Sequence, residues 1–71
     1  MKPGDLAQVV SEYVVFYDTQ WAMAPSASIQ NAMGLTCLII AKLSIDHKTN
    51  VFYIICNQHI GWIWGDLFEK L

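Results

Sequence analysis

The chain has no arginine, and its 71 residues hold only four lysines and six acids, for a net charge of −2 and a charged fraction of 14%. Ordinary soluble domains carry about 25%. Arginine grips phosphates and carboxylates through two parallel N–H donors, and nothing here replaces it. The lysines are scattered at positions 2, 42, 48 and 70. A nucleic-acid module shows a basic stripe, because phosphate contacts supply most of its affinity, so DNA and RNA are disfavoured as partners. Cysteine is scarce too. Cys37 and Cys56 lie far apart with no CxxC spacing, which excludes a disulfide framework. Both sit in apolar runs and read as reduced core thiols. Whether they face each other across paired strands is a matter of geometry that spacing does not decide. Residues 19–41 carry no charge, but their continuously apolar part, residues 35–41 around Thr36, is too short to span a bilayer. The opening residues MKPGD are polar and lack the apolar core of a secretion signal, so export through a signal peptide is not expected.

The usual marks of catalysis are also missing. His47 and His59 are the only histidines, and neither lies near cysteines or acids at metal-ligand spacing. A site made of Cys37, Cys56 and His59 would require the fold to bring the three together. No serine stands in a nucleophile-elbow pattern, and there is no glycine-rich phosphate loop. Asp46 and His47 fall in a polar turn. Asp5 and Asp66 each follow a glycine and read as carboxylates that bond turn amides. No metal, no cofactor and no enzymatic activity are therefore expected.

What the chain does have is apolar surface. Hydrophobic residues make up 55% of it. Residues 1–71 suffice for one domain, and a domain of this size buries only roughly 60% of its unfolded surface. Such a chain is short of polar residues to cover itself, which points to an apolar patch buried against another chain. Lys2-Pro3-Gly4-Asp5 is a turn signal, with proline presetting φ and glycine supplying a positive one. Residues 6–10 and 13–17 read as strand, either one bent strand with a bulge or a strand entering a long loop. Residues 18–33 mix Trp21, alanine, serine and Pro25, and read as an ordered loop with a helical turn near residues 29–33. In the strand at residues 34–44, Leu35, Cys37, Ile39, Ala41 and Leu43 share one face. Residues 51–56 form a strand apolar on both faces, Asn57-Gln58 turns the chain, and residues 60–64 follow. Ile60, Trp62 and Trp64 lie on one face, opposite His59, Gly61 and Ile63. Two tryptophans on one face cannot both fill so small a core, so at least one should be partly exposed and able to anchor a partner.

KPGDL at the start, GLTCLIIAKL in the middle and IGWIWGDLFEKL at the end resemble an SH3-like barrel, and more narrowly the small barrels encoded in tailed-phage genomes. The resemblance implies an all-β fold, a small SH3-like barrel of about five short strands with a long first loop and one 3-10 turn before the last strand. Gly34, Gly61 and Gly65 stand where a barrel wall must bend, and Gly4, Asp5 and Asp66 serve its turns. It further implies a phage structural or assembly protein, such as a capsid decoration, head–tail or neck component, in the virion or the host cytoplasm. Its partners would be proteins, either further copies of itself or other virion proteins. The alternative is a free adaptor module binding a host or phage protein through an aromatic groove of Trp21, Tyr53, Trp62 and Trp64.

Overall fold

A computed structural model describes residues 2–19, 24–46 and 49–71. β-branched and aromatic residues favour extended backbone, and they build seven strands: β1 (Leu6–Val9), β2 (Tyr13–Phe16), β3 (Ala27–Gln30), β4 (Thr36–Ser44), β5 (Asn50–Cys56), β6 (His59–Trp64) and β7 (Phe68–Lys70). A 3-10 turn, Gly65–Leu67, precedes β7. Five strands form an antiparallel sheet in the order β6-β5-β4-β1-β7, and β2 with β3 makes a separate two-stranded sheet.

Neither sheet closes on itself, so the expected five-stranded barrel is corrected to an open arrangement of seven strands in two sheets. The sheets meet through one bridge, Tyr17 with Trp62, whose amides and carbonyls exchange bonds of 3.0 and 2.9 Å. One bridge joins two layers but does not continue a ladder around a wall. The reading of residues 18–33 is corrected as well. Strand β3 occupies Ala27–Gln30, where a loop and a helical turn were expected, and it is drawn into strand by four register pairs with β2. Weak local helical propensity from alanine loses to that pairing.

The turns are set locally. Asp5 N–H donates to the Lys2 carbonyl (3.1 Å) around Pro3 and Gly4, and Gly4 takes φ +93°. The Asp5 carboxylate accepts from the Lys2 amide at 3.0 Å and lies 3.7 Å from Lys70 Nζ. The backbone hydrogen bond, first, and the nearby Lys70 charge hold its carboxyl below the ordinary carboxylate range. Asn57 (φ 50°) and Gln58 (φ 73°) form a two-residue turn between β5 and β6, with positive φ at both positions as the twist of a hairpin requires. Gly34 turns the chain into β4 with φ +88°.

The core lies between the two sheets. Val14, Phe16 and Ile29 of the small sheet pack with Val9, Cys37, Ile39, Phe52, Ile54, Cys56, Ile63 and Phe68 of the large one. Phe52 and Phe68 meet edge to face at 5.3 Å. Among the described residues no polar or charged one is buried. Gly61 lies in the middle of β6, where β2 crosses it. A Cβ at that position would stand 2.9 Å from Phe16 Cβ and 3.1 Å from the Tyr17 carbonyl oxygen. Phe16 is fully buried and Tyr17 is tied to Trp62, so neither has room to withdraw. Gly61→Ala is therefore expected to destabilise the fold by about 1–3 kcal/mol, the usual cost of overpacking. Denaturant unfolding measures this, and an unchanged midpoint would contradict the close crossing.

Candidate functional site

Residues opposite one another in neighbouring strands project to the same face of a sheet. The register therefore sorts the large sheet into two faces. Cys37, Ile39, Ile54, Cys56 and Ile63 point toward the small sheet. On the other side, Leu6 pairs with Leu38, Leu38 with Ile55, and Ile55 with Ile60. These four make one apolar row across β1, β4, β5 and β6, about 14 Å long at the usual strand spacing. Each is between 40% and 52% exposed.

A β-bulge enlarges this outer face. Register shifts between Ile39 and Ala41, leaving Ile40 as the extra residue. Without the shift, Ala41 and Leu43 would follow Cys37 and Ile39 into the core, as the alternation in the sequence suggests. With it, Ala41 lies opposite Tyr53 and Leu43 opposite Val51, both on the outer face. Lys42 moves to the core side of the sheet, where its ammonium stands 6.0 Å from the centre of the Phe52 ring. The bulge thus takes the one charge of β4 off the outer face and adds two apolar side chains to it.

Tyr53, Trp62 and Trp64 all fall on this outer face. Tyr53 is opposite Trp62, with ring centres 5.1 Å apart and planes tilted by 42°. Val51 is opposite Trp64. Val51 is buried yet stands outside the core cluster, because its cross-strand neighbours Leu43 and Trp64 belong to this second apolar layer. Trp62 is half-buried and Trp64 exposed, and Trp21 lies outside the described residues. Across β4, β5 and β6 the outer face carries no charged side chain; Glu69, opposite Gln8, stands at its corner on edge strand β7. Sequence reasoning found the aromatic end of this face with Ile60 beside it, and missed Leu6, Leu38 and Ile55. The signal was present in β5, which is apolar at every position between Asn50 and the turn.

The register also aligns Cys37, Cys56 and His59 in one row of the opposite face. Alignment does not make them a donor set. The His59 ring stacks on Phe16 at 5.7 Å and its Nδ1 donates to the Asn57 carbonyl at 3.1 Å. Among the described residues, no group of three histidines, cysteines or acids is placed to hold a metal ion. Cys37 and Cys56 are buried free thiols in direct cross-strand register. Burial, and then the contact with Cys56, pushes the Cys37 thiol far above its ordinary pKa of 9.0. Among the described residues, no helix is long and apolar enough to cross a membrane.

No protein-family model, no curated protein and no solved structure matches the chain. With no match and with open sheets, the likeness of KPGDL, GLTCLIIAKL and IGWIWGDLFEKL to SH3-like barrels of tailed phages is withdrawn. The phage, viral and virion assignments drawn from it go with it.

The thiols supply a test of this geometry. Both should react with an aromatic disulfide reagent at pH 8 at least about 100-fold more slowly in the native protein than in denaturant, since access requires an opening that costs a few kcal/mol. A folded-state pKa raised above the unfolded one stabilises the fold below the unfolded pKa, and that contribution is lost as pH rises. Stability should therefore fall as pH climbs above about 9, and less so in Cys37→Ala. Prompt native reaction of both thiols would contradict their burial.

Proposed function

We propose that this protein is a non-enzymatic docking module that works by burying the outer face of its large sheet against protein. One observation carries the reading: the uncharged face where the row Leu6, Leu38, Ile55 and Ile60 runs beside the cluster of Tyr53, Trp62 and Trp64. A sheet packs one face on its own core and normally turns polar side chains to water on the other. Here the second face is built like the first.

Its chemistry favours protein over other partners. Tryptophan and tyrosine with isobutyl and sec-butyl neighbours make the kind of desolvated centre from which interfaces draw most of their energy. A nucleic acid would need cations there, and the nearest lysine in β4 has been turned to the other side of the sheet. The polar corner of Gln8, Thr36 and Glu69 suits a solvated rim.

The reading is tested by a photoreactive residue placed at position 60, and separately at position 13 on the small sheet, in the full chain within cells that make it. Crosslinking to protein from position 60 and not from position 13 is expected. Absence of protein adducts at 60, or equal yield from both, overturns the reading. For a partner so captured, Trp64→Ala should weaken binding by about tenfold or more, the loss expected on truncating an anchoring aromatic.

A further inference from the structure

We infer that the occupant of the outer face is a second copy of this chain, so that two five-stranded sheets pack face to face as a two-fold symmetric dimer. The inference rests on the docking reading above and goes further by naming the partner.

The area of the face favours a second copy. Leu6, Leu38, Ile55, Ile60 and Trp64 are between 40% and 52% exposed, and at roughly 150–250 Å² for a large side chain they alone expose on the order of 350–550 Å² of mostly apolar surface, to which the half-buried Tyr53, Trp62 and Leu43 add. A monomer's largest apolar patch is about 300–600 Å², and that figure describes chains of ordinary size rather than one of 71 residues. A stable interface of standard size takes about 800 Å² from each partner. The apolar centre plus its polar rim reaches that figure when an equal face is laid on it, and another copy always brings an equal face.

Charge and symmetry favour it as well. The face is uncharged across three strands, so nothing on it repels its own image, and a charged partner would gain no complement. Glu69, the charge on the outer side of β7, is on an edge strand, where two-fold packing leaves it in solvent. A two-fold interface is self-complementary by construction. This face supplies both halves of a fit: bulky aromatic side chains at the end holding Tyr53, Trp62 and Trp64, and aliphatic ones at the end holding Leu6, Leu38, Ile55 and Ile60. With the two-fold axis across the strands, the aromatic end of each copy lies on the aliphatic end of the other. Sheets stacked this way stand about 10 Å apart with interdigitated side chains, which makes each face a core layer.

Sedimentation of the purified full chain reads the outcome. A species of twice the 8.0 kDa chain mass is expected at micromolar concentration. Ile55→Lys, at the centre of the face and 43% exposed, should convert it to monomer with the β spectrum and cooperative unfolding retained. Leu38→Gln is the milder variant should the first fail to fold. Tyr13→Lys, at a position 50% exposed on the small sheet, should leave the dimer intact. A wild-type chain that stays monomeric up to about 1 mM, the scale of the weakest specific contacts, overturns the inference. So does a dimer that both outer-face variants leave unchanged. A monomer that still crosslinks from position 60 to a different protein overturns the second copy alone and leaves the docking reading standing. A monomer that crosslinks to nothing overturns both.

Discussion

A five-stranded sheet has two faces, and among the described residues one short strand pair is available to cover them. The β2–β3 pair lies across one side and supplies Val14, Phe16 and Ile29 to the core. No described segment is left for the other. That shortage organises everything else in the molecule. The close crossing at Gly61 lets the hairpin sit low enough to exclude water with few residues. The uncovered side must either be polar or find an apolar surface elsewhere, and with charged residues at 14% of the chain it has not been made polar.

The bulge at Ile40 is where the two faces are balanced against each other. Strand β4 is long enough to serve both, and its plain alternation would have sent Leu43 inward and Lys42 outward. Shifting the register by one residue reverses that choice for the second half of the strand. The core gives up two apolar side chains, and the outer face gains them while losing its one charge. Val51, buried although it belongs to no part of the main core, shows that the outer layer already excludes water on its own at the aromatic end. The thiols illustrate the opposite side. In β4 before the bulge, Cys37 keeps its inward direction, meets Cys56 across the strands, and remains a core residue.

Much of the fold was legible as local pattern, and the losses have local causes. β-branched and aromatic runs announced β1, β2 and β4 to β6, and Asn57-Gln58 announced the hairpin turn. Gly65–Leu67 was readable as a break before the last strand. The class was all-β on this basis, but closure was not readable, because it depends on whether edge strands continue to pair, and no residue pattern encodes that. β3 was missed because Ala27, Ser28 and Gln30 have no strand preference of their own and are held by their partners in β2. Tyr53, Trp62 and Trp64 could be grouped from β5 and β6 alternation alone. The aliphatic half of the same face could not, since Leu6 and Leu38 reach it only through the pairing of β1 with β4, and Ala41 and Leu43 only through the bulge.

The central claim is that the outer face is a buried layer in the working protein. Paramagnetic attenuation of methyl signals by a soluble relaxation agent tests it most directly, in the purified chain at a concentration where it self-associates. Leu6, Leu38, Ile55 and Ile60 should be protected, while the methyl of Met33, exposed to a similar degree in the single chain but outside the strands of the large sheet, should be attenuated. Equal attenuation of both sets would mean that the face stands open to water, and the account would be wrong.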